Sequence, residues 1–286
     1  MCNINFMWRN RGITKADNVL LEATTYHSWT DNDHGEGYLT STGKIVKSLA
    51  KISPVQENVL GAKWIIYHER WGTSGGTNLE NTQPIETDQL VFIHNGMMNV
   101  TTQVDKSDSR VVAEQISALI KDGMPFVQAF KQVIDDTSGS KSIFVFDKKA
   151  KELYYYKNYV TSFYFVQAKG SVFASTSEEN VKYVAGRLGI DVKKVIAMKS
   201  DVLMRVCNTG VWKEVEKVVD KPMPVIKTIV STVKNVIKGD FKEYDDDSES
   251  KDKDISFGGS YFDPDKYQDK LYGFNVDGFN SRGDYH

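Results

Sequence analysis

The amino-acid sequence predicts an α+β fold, in which strands and helices are mixed within one large domain. Short apolar runs of the buried-strand type occur at 64–68 and 90–93. Apolar residues recur at helical spacing within 16–29 and 111–120, as they do on the buried face of an amphipathic helix. A chain of 286 residues is long enough for such a domain with a smaller segment beside it.

The predicted elements follow one another along the first 222 residues. A short strand at 4–8 and the first helix precede the two apolar runs. Ser107, Asp108 and Ser109 can cap the second helix, which ends at Gly123, and Pro125 begins a third helix that ends near residue 135. The same patterns predict the later elements: strands at 142–147, 152–157, 162–167 and 171–174, a helix at 177–188, and strands at 195–207 and 211–218.

The character of the sequence changes after residue 222. Apolar residues recur at helical spacing within 223–239, so we expect one amphipathic helix there. Segment 240–286 combines aromatic residues with an excess of acidic ones, and its run 245–250 has no apolar residue. Such a composition cannot bury enough surface to order the chain, so this acidic and aromatic tail is expected to be disordered. The predicted domain therefore spans 1–222.

Charge and hydropathy exclude several classes of function. The formal net charge of −2 and the pI of about 6.2 give no electrostatic footprint for nucleic acid. No apolar run reaches the roughly 18 residues that span a bilayer, and the N-terminus does not have the pattern of a signal peptide. We therefore expect a cytoplasmic protein with no membrane partner. Cys2 and Cys207 could form a disulfide, but two free thiols are expected in that compartment.

Cys2 is the first candidate catalytic residue. Removal of Met1 before this small residue would leave a thiol and a free α-amine on the same residue. An α-amine titrates near pH 7.7–8, so it can act as a general base on its own thiol, directly or through a water. This arrangement needs no separate catalytic histidine. The alternative is that Cys2 is only a small residue at this position.

Three further clusters carry candidate chemistry. In RWGTSGG at 70–76, Arg70 stands at a strand end before a glycine-rich turn, which suits capture of a carboxylate; a surface arginine is the alternative. Asn95 and Gly96 follow an apolar run and could form an oxyanion hole, although an Asn-Gly hairpin turn is also common. Asp108 could cap a helix or bind an ammonium group.

In this order the four clusters resemble the class II glutamine amidotransferase domain of the N-terminal-nucleophile (Ntn) hydrolases. The family pattern is an N-terminal Cys, Arg-Trp-Ala-Thr followed by Gly, His-Asn-Gly, and Ser/Thr-Asp before a helix. The corresponding segments here are Cys2, RWGT at 70–73, HNG at 94–96 and SD at 107–108. FASTSE at 173–178 is similar to a later family strand. The resemblance covers about 190 to 220 residues and implies a four-layer αββα sandwich.

The resemblance also implies a mechanism. Cys2 would attack the side-chain amide of glutamine and form a γ-glutamyl thioester, with Asn95 and Gly96 as the oxyanion hole. Arg70 would bind the α-carboxylate and Asp108 the α-ammonium group, while Thr73 would add a contact at the carboxylate end. No cofactor or metal is expected. The segment 31–38 matches the family's mobile glycine-rich loop, whose glycines would be hinges.

Some positions depart from the family pattern. Asn3 stands where the family has Gly, Gly72 where it has Ala, and Gln83 where it has His before Pro84. The sequence after 222 is too short for a synthase domain, so we expect released ammonia to reach an acceptor on a separate synthase partner. Two alternatives stay open. One is a free-standing Ntn amidase or γ-glutamyl hydrolase, and the other is a catalytically silent binding module of the same fold.

Overall fold

The computed structural model describes residues 2–28, 34–52, 59–101, 104–168 and 170–219. These residues form four α-helices and thirteen strands in two sheets. The strands are β1 (Asn3–Arg9), β2 (Glu36–Thr40), β3 (Ile45–Ser48), β4 (Trp64–Glu69), β5 (Ile85–Glu86), β6 (Leu90–Asn99), β7 (Ser138–Asp147), β8 (Glu152–Lys157), β9 (Tyr164–Ala168), β10 (Ser171–Ser175), β11 (Ile196–Ala197), β12 (Val202–Val206) and β13 (Trp212–Lys217). The helices are α1 (Lys15–Ser28), α2 (Asp108–Lys121), α3 (Phe126–Asp135) and α4 (Glu178–Arg187).

Both sheets are antiparallel throughout. The first has seven strands in the order β11-β9-β10-β1-β4-β2-β3, and the second has six in the order β13-β12-β8-β7-β6-β5. In the first sheet β1 and β4 are central and adjacent, with Asn3 opposite Glu69. This register brings the N-terminus of the chain beside the end of β4.

One apolar core contains residues from both sheets. Side chains of a strand point alternately to its two faces, so alternate residues of β1 and of the first part of β6 enter this core. Ile4, Phe6 and Trp8 of β1 belong to it together with Val91 and Ile93 of β6. The faces of β1 and β6 that carry these residues are thereby buried between the sheets.

Helices cover the other face of each sheet. Leu21 of α1 and Val181 of α4 pack in a cluster with Met7 of the first sheet. Val112 of α2 and Phe130 of α3 pack in a cluster with residues of β5, β6, β7 and β8. The Ser107 hydroxyl caps α2 by accepting from the main-chain N–H of Arg110, so the cap is Ser107 and not Asp108.

The structure confirms the mixture of helices and strands and corrects several details. The predicted strand at 195–207 is divided into β11 and β12. The strand predicted at 90–93 extends to Asn99 and is β6. Asn95 and Gly96 therefore lie inside β6, opposite Ser142 and Lys141. The hairpin-turn alternative for this dipeptide is therefore wrong.

The glycine-rich segment 31–38 is also different from the prediction. Its last residues belong to β2, which pairs with both β3 and β4, so Gly37 is part of a sheet and is not a hinge. Residues 31–33 lie outside the described residues, as do the predicted helix at 223–239 and the predicted tail at 240–286. No helix in the described part of the chain is long and apolar enough to cross a membrane.

Candidate active site

A pocket opens where the ends of β1 and β4 approach β6 and the start of α2. It brings together five of the six predicted site residues, namely Cys2, Arg70, Thr73, Gly96 and Asp108. The sixth, Asn95, is buried in β6 directly before Gly96 and is not itself among the lining residues. The other lining residues are Trp71, Gln83, His94, Ser107 and Ser109.

The Cys2 thiol lies against the main chain of Trp71. Its Sγ accepts a hydrogen bond from the Trp71 N–H at 3.2 Å and lies 3.4 Å from the Trp71 carbonyl oxygen. Burial raises the pKa of the Cys2 thiol, and the Trp71 N–H together with the charge of Arg70 opposes that rise. A thiol whose pKa is raised needs a base to become a nucleophile at neutral pH. Cys2 and Cys207 are both free thiols.

Arg70 follows β4 and is buried. Its Nη2 donates to the Ser74 carbonyl oxygen at 2.9 Å, while its Nη1 has no acceptor among the described residues. Burial lowers the pKa of Arg70, and the opposite charges of Cys2 and Asp108 counteract this. A buried guanidinium donor without an acceptor is costly, so this atom is suited to an anionic ligand. The surface-arginine alternative is wrong, because the side chain is buried.

Gly72 explains how the turn fits around this guanidinium. A Cβ at position 72 would lie 2.7 Å from Nη1 of Arg70. Even the smallest side chain at this position would therefore press on the guanidinium group, and glycine leaves the space open. This departure from the family pattern is compatible with binding at Arg70.

Asp108 is the first residue of α2, where the partial positive charge of the helix N-terminus stabilises a carboxylate. Its Oδ2 accepts from the Met98 N–H at 2.7 Å. Its Oδ1 accepts from the Ser109 N–H at 2.8 Å and from the Ser74 hydroxyl at 3.3 Å. The carboxylate is thus fixed within the same pocket as Arg70, which gives that pocket one anionic and one cationic side chain.

Gly96 adopts a backbone conformation that only glycine adopts readily. Its φ is +140°, and a Cβ there would lie 2.1 Å from the Ser140 carbonyl oxygen. The preceding His94 is buried, and both of its ring nitrogens are engaged, Nδ1 with the Ser109 hydroxyl at 2.9 Å and Nε2 with the Ser140 carbonyl oxygen at 3.1 Å. Burial lowers the pKa of His94, so its ring is neutral. His94 is therefore a structural part of the strand that carries Asn95 and Gly96.

Sequence reasoning missed two residues at this site. Gln83 lines the pocket and hydrogen-bonds the backbone of His94. His34 accepts from the Gly72 N–H at 2.8 Å, and its ring centroid lies 5.1 Å from that of Trp71. The signal for Gln83 was its place directly before Pro84, where the sequence departs from the family pattern. His34 lies in the glycine-rich segment 31–38, whose prediction rests on its glycines.

Asn3, the other departure, anchors the strand that begins beside Cys2. Its Nδ2 donates to Glu69 Oε2 at 2.8 Å, and its Oδ1 accepts from the Thr176 hydroxyl at 2.9 Å. The Thr176 oxygen also accepts from the Ile4 N–H at 3.0 Å. The asparagine thus connects the strand that follows Cys2 to β4 and to the residue after β10.

Comparison with known proteins gives a consistent relationship. No protein-family model matches the chain. Glutamine–fructose-6-phosphate aminotransferase (isomerizing) of Halalkalibacterium halodurans is 28% identical over 225 residues, which are 71% of this chain and 37% of the relative. The enzyme of the same name from Helicobacter pylori is 27% identical over 124 residues, 39% of this chain and 21% of the relative. The chain therefore spans well under half the length of these relatives.

Two solved structures share the fold. Glutamine phosphoribosylpyrophosphate amidotransferase from B. subtilis, complexed with ADP and GMP, matches with a TM-score of 0.56 and 15% identity. The allosteric regulatory enzyme of purine biosynthesis matches with a TM-score of 0.54 and 16% identity. Each match covers 77% of this chain and 50% of the other.

These matches concern both the fold and the sequence. The mixed α/β fold with two antiparallel sheets is similar to the fold of these two solved structures. The sequence relatives are glutamine-dependent aminotransferases by name, which agrees with the resemblance that the ordered motifs carry. Within the described ranges, His, Cys, Asp and Glu side chains form no group that could hold a metal.

Proposed function

We propose that this chain hydrolyses the side-chain amide of glutamine through Cys2 and releases ammonia. The observation that carries the proposal is the pocket that joins the Cys2 thiol to a buried arginine and a fixed aspartate. Glutamine has a carboxylate and an ammonium group at one end and the scissile amide at the other. A cationic group, an anionic group and a nucleophile in one pocket match these three features.

The proposed reaction begins once Met1 is removed. The α-amine of Cys2 takes the thiol proton, and Sγ attacks the amide carbon to give a tetrahedral intermediate. The Asn95 side chain and the Gly96 N–H stabilise the negative oxygen of this intermediate. The protonated amine gives its proton to the leaving nitrogen, ammonia departs, and a γ-glutamyl thioester remains. Water then attacks the thioester, which yields glutamate and the free thiol.

The same proposal assigns the binding contacts. Arg70 binds the α-carboxylate through the Nη1 donor that lacks an acceptor among the described residues, and Thr73 at the exposed side of the pocket adds a contact there. Asp108 pairs with the α-ammonium group. Because Arg70 and Asp108 meet the two charged groups on the α-carbon of an amino acid, they favour glutamine over an amide that lacks either group. This distinguishes a glutaminase from a general amidase.

The domain and partner assignments also remain proposals. We propose a four-layer αββα domain over 1–222, supported by apolar clusters on both faces of each sheet. We further propose that the ammonia passes to an acceptor on a partner synthase. The names of the sequence relatives couple glutamine to a second substrate, fructose 6-phosphate, which supports transfer as the destination of the nitrogen.

The function is tested by following ammonia and glutamate release from glutamine by purified protein whose intact mass has been measured. We expect equal amounts of both products and an active species that begins at Cys2. Glutaramate lacks the α-ammonium group and 4-aminobutanamide lacks the α-carboxylate, so both should be poor substrates. Equal turnover of all three amides would favour the general amidase. No turnover of any amide, by protein that begins at Cys2, would favour the silent binding module.

A further inference from the structure

Gln83 occupies the position at which the pairing between β5 and β6 would continue. In this register Ile85 is opposite Phe92 and Glu86 is opposite Val91. If the pairing continued, Gln83 would lie opposite His94, and these two residues would form the next hydrogen-bonded pair. The strand pairing nevertheless ends at Ile85. His94 is therefore left without a strand partner on the β5 side, one residue before the proposed oxyanion hole.

The Gln83 side chain replaces the missing strand. Its Nε2 donates to the His94 carbonyl oxygen at 2.9 Å, and its Oε1 accepts from the His94 N–H. A primary amide has the same donor and acceptor as a peptide group, so this pair reproduces the two hydrogen bonds of an antiparallel ladder. Gln83 is itself buried and has little freedom to leave this position.

The backbone of Gln83 is held from the other side by β2. A Cβ on Gly37 would lie 2.1 Å from the Gln83 carbonyl oxygen. The absence of a side chain at Gly37 thus lets β2 of the first sheet pack directly on this carbonyl group. The Gln83 backbone thus packs against the first sheet, while its side-chain amide binds β6 of the second sheet.

The position of His94 determines the geometry of the next two residues. In an antiparallel strand, the backbone groups of alternate residues point to the same side, so the Gly96 N–H shares the side of the His94 N–H. That is the side on which Gln83 binds. The Gly96 N–H lies in the peptide plane that joins Asn95 to Gly96, so its direction follows the strand that precedes it.

We propose that Gln83 is a positioning residue for the oxyanion hole. By completing the hydrogen bonding of His94, it fixes the Asn95 side chain and the Gly96 N–H where the negative oxygen develops. This inference rests on the proposed glutaminase function. It predicts that changes at Gln83 alter kcat far more than KM, because the developing charge exists only in the transition state.

Gln83→Glu gives a specific test because it replaces the amide NH2 group with a carboxyl oxygen and changes the side-chain volume little. One carboxyl oxygen still accepts from the His94 N–H, but the other faces the His94 carbonyl oxygen and can bond to it only when protonated. Burial raises the pKa of such a carboxyl group, so its protonated form should persist at mildly acidic pH. The kcat of Q83E should therefore fall, relative to the wild type, as the pH rises through that pKa.

The experiment measures kcat and KM for glutamine between about pH 5 and pH 8.5 for the wild type, Q83E, Q83M and the exposed control Q128E on α3. We expect the ratio of Q83E to wild-type kcat to fall by about 10-fold or more across this range, with KM within about twofold. Q83M, which has neither hydrogen-bonding group, should lose a similar amount at every pH. Q128E should match the wild type.

Calorimetric binding of glutamate should change little in Q83E, because the proposed contacts of glutamate are with Arg70 and Asp108, and Gln83 reaches Asp108 indirectly, through the Ser109 hydroxyl. A pH-independent kcat ratio for Q83E, or wild-type kcat in Q83M, would overturn the positioning role while leaving the proposed function intact. Absence of turnover by the wild-type chain would overturn the proposed function and this inference together.

Discussion

The pocket has two sides, which are built in different ways. The first sheet contributes Cys2 and Arg70, two reactive or charged side chains at the ends of β1 and β4. The second sheet contributes Asn95 and Gly96, whose proposed role depends on the direction of an amide and of a backbone N–H. A charge acts over several ångströms, whereas a hydrogen-bond donor must be aimed. On the second side, the close packing around Gly96 and the hydrogen bonds of the Gln83 amide accordingly restrict the backbone conformation of β6.

The comparison also separates binding from catalysis. Arg70 would meet a carboxylate that is present throughout the reaction, so it should contribute equally to the substrate and to the transition state. Asn95 and Gly96 would meet an oxygen that becomes negative only during the reaction. Substitutions on the two sides should therefore change different kinetic parameters, and Cys2, which forms the bond, should be the most sensitive position.

The largest expected effect is that of Cys2→Ser. We expect kcat to fall by at least about 10³-fold, because a hydroxyl is a much weaker nucleophile than a thiol at neutral pH. Cys207→Ser is the matched control, since this second free thiol follows β12 and is not among the residues that line the pocket. Steady-state glutaminase rates measure both. An essential Cys207 together with a dispensable Cys2 would refute the assignment of the nucleophile.

The next effect concerns the second sheet. Asn95→Ala should lower kcat by about 10²–10³-fold, the usual cost of one oxyanion donor, with KM within about twofold. Asn99→Ala is the control, because Asn99 lies on the same strand but is exposed, and its side chain donates to the Ser138 hydroxyl at 3.0 Å. A rise in KM without a fall in kcat would contradict the oxyanion role.

Arg70→Ala should have a smaller effect and a different one. We expect KM for glutamine to rise by about 10- to 100-fold, as for loss of a charged hydrogen bond, while kcat changes little. Arg110→Ala removes an equal charge from α2, where Arg110 pairs with Glu114 at 3.0 Å, and should leave KM unchanged. Equal KM values in both variants would show that the α-carboxylate is bound elsewhere.

How far the sequence predicted the site depended on the kind of information each residue carries. Cys2, Arg70 and Asp108 could be found because their chemistry is visible in their residue types and in the order of the motifs. The same was true of the buried strands that position them. The role of Gln83 could not be found in this way, because it depends on the register between β5 and β6.

The contacts of Gly37 and Asn3 could not be predicted from the sequence either. Gly37 looked like a hinge because glycine is common in loops, but its lack of a side chain serves the close approach of β2 to Gln83. In the sequence, Asn3 is only a departure from the Gly of the family pattern, yet in the structure it forms hydrogen bonds with Glu69 and Thr176. Such contacts join residues far apart in the sequence, so no local pattern predicts them.

The smallest expected effect on activity tests how the two sides are joined. The Nε2 of His68 on β4 forms a hydrogen bond of 3.2 Å with the His94 carbonyl oxygen on β6, which connects the two sheets directly. Burial lowers the pKa of His68 to about 3, against about 6.5 for an unperturbed histidine. The ring is therefore neutral in the folded protein and donates its one proton to His94.

This depressed pKa makes folding stability depend on pH. As the pH falls from about 6.5 toward 3, the unfolded chain binds a proton at His68 and the folded chain does not, so the folded state is progressively destabilised. The slope from this residue is up to about 1.4 kcal/mol per pH unit.

His68→Gln keeps a donor for the His94 oxygen but does not titrate, so it should lose this slope and lower kcat by less than about 10-fold. Free energies of unfolding in urea at about pH 7 and about pH 4.5 measure the difference. The stability advantage of the wild type over H68Q should shrink, or reverse, at the lower pH. An advantage that is the same at both pH values would mean that His68 is not held neutral between the sheets, and the two sides of the pocket would then be joined by other contacts.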